Sequence, residues 1–460
     1  MKKILVALLS LCIYSTSSAQ MKKMGLLECV MYALENNISI AQFELDLENA
    51  ALAEKDALGG MLPRVNGSIS LNESKGLILD PQTQTNTIGT ILSGSAGLSF
   101  GYTIFDGLRT IKRAQRAQLN SLATQYRVAD LKDDISLAVA NAYLRVISSK
   151  ESLKVAQAQY KITEQDLKRT QELVASGVVP RGDLLEIEAT AANQEQQVVN
   201  AENSVIISRI NLAQLLQITD YENFDIADES FEVPSSTILE QSAKSIFNKA
   251  LTFRNDIQVS KFNVALAQQD YKLAKGQLYP TLNAFLNYNT FASDQFRLEP
   301  NLNENPADPT DDFSLVRPDV ITQLYTNDGI NYGLSLNIPI FNGFATSNNV
   351  KRAEINVKRS ELQFEQAKLD LENTVNQAYV DVKSFAKAYE AAQKTLEARR
   401  LAYQYAKERF DVGLMNAFNF SQAQARLDNA EANVIRTKYD YIFRLKVLEF
   451  YFGLPLAELQ

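Results

Sequence analysis

The sequence predicts a mainly α-helical chain carrying a few amphipathic β-strands, written twice as a helix-strand-strand-helix-helix unit. Three observations predict it: an internal repeat, a seven-residue apolar period sustained over very long segments, and four stretches of strict apolar-polar alternation.

The repeat is read from matched residues. Gly97-Leu98-Ser99-Phe100 recurs as Gly333-Leu334-Ser335-Leu336, and Phe105-Asp106-Gly107 as Phe341-Asn342-Gly343. Gly177 matches Gly413 and Leu212 matches Leu448, all at an offset of 236. Upstream the offset is 217: Ala33-Leu34 matches Ala250-Leu251, Gly59 matches Gly276 and Pro63 matches Pro280. The second copy therefore carries 19 extra residues (236 − 217) between Pro280 and Gly333. We place repeat 1 at 20–217, a linking segment at 218–239 and repeat 2 at 240–460.

The helices come from the period. Leu153, Tyr160, Leu167 and Val174 recur every seven residues, as do Tyr389, Leu396, Tyr403 and Phe410. The returning segments keep the spacing at Leu184, Ala191, Val198, Val205 and Leu212, and at Phe420, Leu427, Val434, Tyr441 and Leu448. Seven residues is 3.5 per turn, slightly under the 3.6 of an α-helix, so a seam kept in contact winds into a left-handed supercoil. Gly and Pro are almost absent inside these segments, as helices require. The expected hairpins run over 107–217 and 343–453. An outgoing helix from about Gly107 to Ser176 would be on the order of 100 Å long at ~1.5 Å per residue. The same heptads would also serve a plain coiled-coil spacer.

The strands come from alternation. Val65, Gly67, Ile69 and Leu71 alternate with Asn66, Ser68, Ser70 and Asn72; Ala96, Leu98, Phe100, Tyr102 and Ile104 alternate with Ser, Gly and Thr. Leu282, Ala284, Leu286 and Tyr288 share a face, and so do Ile330, Tyr332, Leu334, Leu336, Ile338 and Ile340. A period of two marks strands, expected near 64–72, 95–105, 280–289 and 330–341, close to the ~9–11 residues that cross a bilayer when tilted. The polar face is Asn, Ser and Gly, which suits a watery lumen. A soluble sheet wetted on one side would alternate too. If the strands enter hydrocarbon, though, four leave two open edges that cannot persist there, so several chains must close one barrel.

Pro63 and Pro280 mark where helices give way to strands. Asp106-Gly107 and Asn342-Gly343 mark the return to helix, with Asp106 and Asn342 read as helix N-caps. The segment Asp294–Asp328, with eight acidic and two basic residues, reads as a solvated loop rather than a cation site.

The reversals between the long helices are Ser176-Gly177-Val178-Val179-Pro180-Arg181-Gly182-Asp183 and Val412-Gly413-Leu414-Met415-Asn416-Ala417-Phe418-Asn419. Gly177 and Gly413 suit left-handed helix ends. Asp183-x-x-Glu186 and Asn419-x-x-Gln422 read as capping boxes opening the next helix. These residues either only reverse the chain, or present Val178, Val179, Leu414 and Met415 as an apolar docking surface.

Composition bounds the chemistry. The chain has 460 residues, with no His and no Trp. Without His there is no Ser-His-Asp hydrolysis and no His-ligated metal. The carboxylates, Lys and two Cys form no catalytic constellation, so we expect no enzyme activity, cofactor or metal. Lys2 and Lys3, the apolar run Ile4–Ile13, and small Ser17 and Ala19 read as an export signal over residues 1–19. Removing it changes the net charge from −8 to −10 (−8 − 2) and leaves Cys29 alone, so no internal disulfide is expected. An acidic chain also argues against nucleic acid as a partner. No later apolar run is long enough for a transmembrane helix.

Assembled, these features resemble the TolC-like outer-membrane efflux proteins over the chain from Gln20 onward. The duplicated unit, the Phe-Asp-Gly and Phe-Asn-Gly strand exits, and Val412-Gly413-Leu414 carry the likeness, as do Leu27-Glu28-Cys29-Val30 and Ala33-Leu34-Glu35-Asn36-Asn37. The resemblance implies a homotrimer sharing a twelve-stranded β-barrel joined to a long helical barrel in the periplasm of a Gram-negative bacterium. It implies contact with outer-membrane lipid, and passive conduction of cargo from an inner-membrane pump through a periplasmic adaptor that meets the helical tips. The family's ring of aspartates before the second turn has no match: Gln404 and Lys407 stand there, with Glu408 and Asp411 off the spacing. The rival expectations are a porin-like uptake channel, which needs more strands and no heptads, and a soluble periplasmic coiled-coil scaffold.

Overall fold

The structure, a computed structural model, describes residues 22–79, 85–227, 231–233, 237–294, 297–300, 313–316 and 319–454. The expected export signal lies outside them. In chain order the elements are β1 (Lys22–Met24), α1 (Leu26–Asn36), α2 (Ile38–Gly59), β2 (Arg64–Leu79), β3 (Asn86–Phe105), α3 (Arg109–Ala175), α4 (Arg181–Leu215) and β4 (Phe224–Ile226). After a 3-10 turn at Thr237–Glu240 come α5 (Ala243–Phe253), α6 (Asn255–Gly276), β5 (Thr281–Ser293), β6 (Arg297–Pro300), β7 (Phe313–Val316), α7 (Val320–Thr326), β8 (Gly329–Asn337), α8 (Ala345–Asp411) and α9 (Ala417–Phe452). The two outgoing helices, α3 and α8, each have 67 residues.

The chain divides into two compact units. One comprises the residues up to Glu48, Leu122–Phe262 and Leu362 onward. Its apolar residues form three clusters. In the first, Cys29 and Ala33 of α1 pack with Val139 and Tyr143 of α3, Leu212 of α4 and Ile442 of α9. The second joins Ile246 and Ala250 of α5 to Val375 and Val382 of α8 and to Leu445 and Leu448 of α9. Each N-terminal helix of a repeat is thus buried against its own copy's outgoing and returning helices, and α1 also shares its cluster with α9. The third cluster is at the reversals: Ile187, Ala406, Ala417 and Phe420. The expected linker at 218–239 is partly ordered, because β4 pairs in parallel with β1 in the register Lys23↔Asp225. The helix that opens each repeat is broken, at Asn37 and at its equivalent Arg254, where the backbone turns extended. Asn37 Oδ1 accepts from the Ser39 N–H at 2.9 Å, and the Arg254 guanidinium donates twice to Asp256 at 3.2 and 3.0 Å.

The other unit comprises Asn49–Ser121 and Asn263–Glu361. It holds an antiparallel sheet of order β2-β3-β5-β8. β2 and β8 stand at its edges, and neither has a second partner strand among the described residues. The sheet's apolar side chains face outward: Ile69 is 90% exposed and Tyr332 77%.

Strand lengths differ from expectation. β2 and β3 pair as far as Leu79↔Asn86, well past residues 72 and 95, because Glu73 and Lys75 interrupt the alternation without interrupting the ladder. β5 begins at Thr281 and reaches Ser293. β8 ends at Asn337 rather than 341, since Pro339 has no N–H to continue a ladder. The first copy has Thr103 at the equivalent position, and β3 bulges there against β5.

The segment Asp294–Asp328 is not wholly a loop. β6 pairs with β7, and α7 packs on β5; residues 295–296, 301–312 and 317–318 lie outside the described residues. The Gln323 side chain is 1% exposed because its amide replaces a missing strand. It donates to the Ser293 carbonyl at 2.8 Å and accepts from the Ser293 N–H at 3.0 Å, beyond Asn289 where β8 stops pairing.

Candidate functional site: helical tips and strand exits

Both tips share one backbone design. Gly177 and Gly413 take φ +75° and +74°, the left-handed region that a side chain strains to adopt. The Val178 N–H donates to the Leu173 carbonyl at 2.9 Å and that of Leu414 to Arg409 at 2.8 Å, closing the ends of α3 and α8.

The caps lie three residues earlier than the capping boxes suggested. α4 starts after Pro180, which offers no side-chain acceptor, and α9 starts after Asn416, whose side chain accepts from the Asn419 N–H at 3.0 Å. Proline is pre-set for such a junction, and asparagine caps by its amide oxygen. Asn419 is therefore a donor to the cap. Asp183 instead reaches across, its carboxylate accepting from the Ala417 N–H at 3.4 Å, so the two tips are tied together.

The four apolar tip residues divide by position. Val178 and Leu414 are about 70% exposed (69% and 71%). Their successors Val179 and Met415 are half-buried, and Met415 packs against the cluster around Phe420. Val412 and Phe418 are also exposed, at 69% and 58%. Both stand in the reversal that the sequence marks out, where only Val178, Val179, Leu414 and Met415 are expected as the apolar surface. Behind the tips α3 and α8 are held by charge. Lys407 pairs with Asp166 at 3.0 Å and Asp411 with Arg169 at 2.7 Å, so the residues standing near the family's aspartate ring are ion-pair partners here. Farther along, an open groove of about 700 Å³ runs between α3, α4 and α9, lined by Gln159, Thr190, Gln194, Ser421 and Asp428 among others. Burial pushes the Asp428 carboxyl up to about 6, against the opposing hydrogen bond from Gln194 at 2.8 Å. Among the described residues no cluster of acidic or Cys side chains could hold a metal ion.

The strand exits also repeat. Helix α3 begins two residues after Gly107, and α8 two after Gly343, so Asp106 and Asn342 are not adjacent to the first turn. They cap it nonetheless. Asp106 accepts from the Thr110 N–H at 3.2 Å and the Thr110 hydroxyl at 2.8 Å, and Asn342 accepts from the Thr346 N–H at 3.4 Å. The reach is possible because Gly107-Leu108 and Gly343-Phe344 are all left-handed. A Cβ on Gly107 would lie 2.3 Å from the carbonyl oxygen of Gly276, at the end of α6. Gly343 has nothing within 4 Å of that position, and neither has Gly59, the counterpart of Gly276. Pro63 and Pro280 immediately precede β2 and β5.

Comparison with known proteins places these features. The family model described as outer membrane efflux protein matches residues 30–216 and 246–454, one stretch for each repeat. The chain is 23% identical to the outer membrane protein TolC of Vibrio cholerae, with 98% of this chain and 94% of that protein covered. It is 22% identical to the alkaline protease secretion protein AprF of Pseudomonas aeruginosa, covering 94% and 84%. Among solved structures, the CmeC outer membrane channel of Campylobacter jejuni superposes with a TM-score of 0.79 at 19% identity, covering 94% of this chain and 87% of that one. The VceC outer membrane protein of Vibrio cholerae gives 0.74 at 16%, covering 94% and 97%. With both repeats matched and the fold shared, the chain belongs to the outer membrane efflux protein family.

Proposed function

We propose that the chain is the channel subunit of a tripartite efflux or type I secretion system, in which a homotrimer conducts cargo passively to the outside. A periplasmic adaptor and an inner-membrane pump deliver the cargo. The observation that carries this reading is the sheet: one face apolar and exposed, the other mainly Asn, Ser and Gly with Phe285 and Phe291 among them, and both edges unpaired among the described residues. Hydrocarbon tolerates no open edge, so such a sheet reaches a stable state in a membrane only when copies complete a barrel. Three copies would give twelve strands, the number that the family resemblance implies. The apolar face then meets outer-membrane lipid and the polar face lines a wet lumen.

The tips are the adaptor-docking surface in this account. Val178 and Leu414, with Val412 and Phe418 beside them, offer exposed apolar groups at the reversals, and burying such a side chain is worth roughly 1.5–3 kcal/mol. Gly177, Gly413, Asp183 and Asn419 shape the backbone that presents them. Val179 and Met415 are half-buried, and Met415 packs against the cluster around Phe420, so they make poor probes. The test is to replace Val178 and Leu414 with Asp in cells that depend on this chain for export. The expected result is a normal amount of assembled protein in the outer membrane, with adaptor capture and export both lost. Normal capture and export would reduce the tips to turns.

A further inference from the structure

Helix α7 is amphipathic in the wrong sense for a helix in water. Its buried position is polar: Gln323 is spent on the backbone of β5. Its exposed positions include three large apolar side chains, Val320 at 54%, Ile321 at 65% and Tyr325 at 80%, beside exposed Thr322 and Thr326. The helix is nevertheless firmly held. Asp319 caps it, accepting from the Ile321 and Thr322 N–H groups at 3.0 and 3.3 Å. Thr290 Oγ1 donates to the Leu324 carbonyl at 2.6 Å, and the Asn327 amide to the Phe291 carbonyl at 2.9 Å. So the apolar side chains are turned out by design of the contacts.

The position of α7 says what covers them. Thr290 and Ala292 lie on the apolar face of β5, with Leu282, Leu286 and Tyr288, and α7 buries both. Beside α7, an open groove of about 350 Å³ is walled by Val320 and Leu324 on one side and by Leu71 and Leu92 on the other. Its floor is small, Gly94 and Ala96. The register sets Leu71 opposite Gly94 and Gly94 opposite Ala292, all on the apolar face. The exposed side of α7 therefore continues the sheet's apolar face at the end of β5 remote from Pro280. It also falls in the interval from Pro280 to Gly333 over which the second repeat gains 19 residues on the first.

We propose that α7 is a lipid-contacting helix: Val320, Ile321 and Tyr325 lie in the outer-leaflet boundary between acyl chains and headgroups, and the groove holds a segment of acyl chain. A short helix with an apolar face and a tyrosine is suited to that depth, where the ring is buried and the hydroxyl stays wet. The proposal rests on the reading that the sheet's apolar face meets lipid, and the test separates the two.

The chain has no Trp, so one introduced Trp reports alone. Four full-length variants would be purified and reconstituted separately: Tyr325→Trp, Ile321→Trp, Ile69→Trp on the sheet's apolar face and Ser68→Trp on its polar face. The vesicles are phosphatidylcholine brominated on one acyl chain, near its glycerol end or near its methyl end, with unbrominated lipid as reference. The expected result is at least a twofold loss of emission for Tyr325→Trp and Ile321→Trp, greater with bromine near the glycerol end, and little loss for Ser68→Trp. Two α7 positions guard against one variant failing to fold. Quenching of Ile69→Trp without quenching at α7 would overturn the inference and leave the membrane reading standing. In that case quenching of α7 by aqueous iodide would place the helix in water, and quenching by neither agent would place it under a second copy of the chain. No quenching at Ile69 either would overturn both.

Discussion

One buried carboxylate at Asp106 serves the Thr110 N–H, the Thr110 hydroxyl and, at 3.2 Å, the Arg113 guanidinium. It thereby fixes where strand β3 becomes helix α3. Asp106→Ala is expected to cost about 1–2 kcal/mol, the usual worth of an N-cap, read as faster amide exchange in the first turn of α3 and a lower thermal midpoint. A second residue-scale effect is electrostatic. Asp130 is pushed up to about 6 first by burial and then by the neighbouring charges of Asp256 and Asp134, against Arg254; Asp133 beside it is raised too, mainly by burial. A carboxyl that holds its proton more tightly folded than unfolded costs stability when ionised. The cost is absent below about pH 4, the unfolded value, and is fully present above about 6. Asp130→Asn is therefore expected to raise the thermal midpoint near neutral pH and to leave it unchanged near pH 4. An equal shift at both would assign the effect to packing. The strand-exit and tip glycines were legible as single letters, since a left-handed turn has few other solutions. Asp183 was legible as a helix opener but not as a tie to Ala417, because that bond spans residues far apart in sequence.

Elements were legible in proportion to their length. A seven-residue period over Leu153–Val174 and Tyr389–Phe410, inside long stretches almost free of Gly and Pro, leaves little room for another structure, and α3 and α8 contain these stretches. Short elements carry no such period. β1 and β4 are three residues each and exist because they pair with one another. α7 was hidden because seven residues show no period and its one buried residue, Gln323, is polar. The breaks at Asn37 and Arg254 were missed because neither residue is Gly or Pro; local side-chain bonds end the helix there. At the tips, element stability depends on one aromatic stack: the Phe420 ring lies 4.6 Å from that of Phe410 and 5.7 Å from that of Tyr403. Removing it with Phe420→Ala is expected to cost about 3–5 kcal/mol, as for other buried aromatic residues. Hydrogen exchange should show that loss at both reversals and leave β2, β3, β5 and β8 protected as before. Loss of protection throughout the chain would mean that the tips fold with the rest as one cooperative unit.

At the scale of the whole molecule, the duplication supplies a register by which copies would meet in the proposed assembly. Within the chain, adding 217 to a β2 residue and 236 to its β3 partner turns Arg64↔Gly101 into Thr281↔Asn337, which is the pair found between β5 and β8. The two repeats thus build their hairpins in one register. The joint between the hairpins is β3 with β5. Moving it forward by 236 on β3 and back by 217 on β5 turns Ser99↔Asn287 into Ser335↔Ser70, and Gly97↔Asn289 into Gly333↔Asn72. The second pair is again a glycine facing an asparagine. In the proposed assembly it would join β8 of one copy to β2 of the next, the two edges left unpaired among the described residues, with polar residue facing polar residue. The number of copies was not legible in these residues and came from the family resemblance. The most direct measurement is disulfide trapping in intact outer membranes with the double variant Ser70→Cys/Ser335→Cys. Directly opposed residues on neighbouring strands have Cα atoms about 4.5–5.5 Å apart, within disulfide reach, whereas a partner displaced by two residues is at about 7–8 Å. The account requires that mild oxidation convert the chain to a covalent species of three copies, reversible by reductant, while Ser70→Cys/Gly333→Cys stays largely uncrosslinked. A chain that remains monomeric on oxidation, or that crosslinks better through the displaced pair, would contradict it.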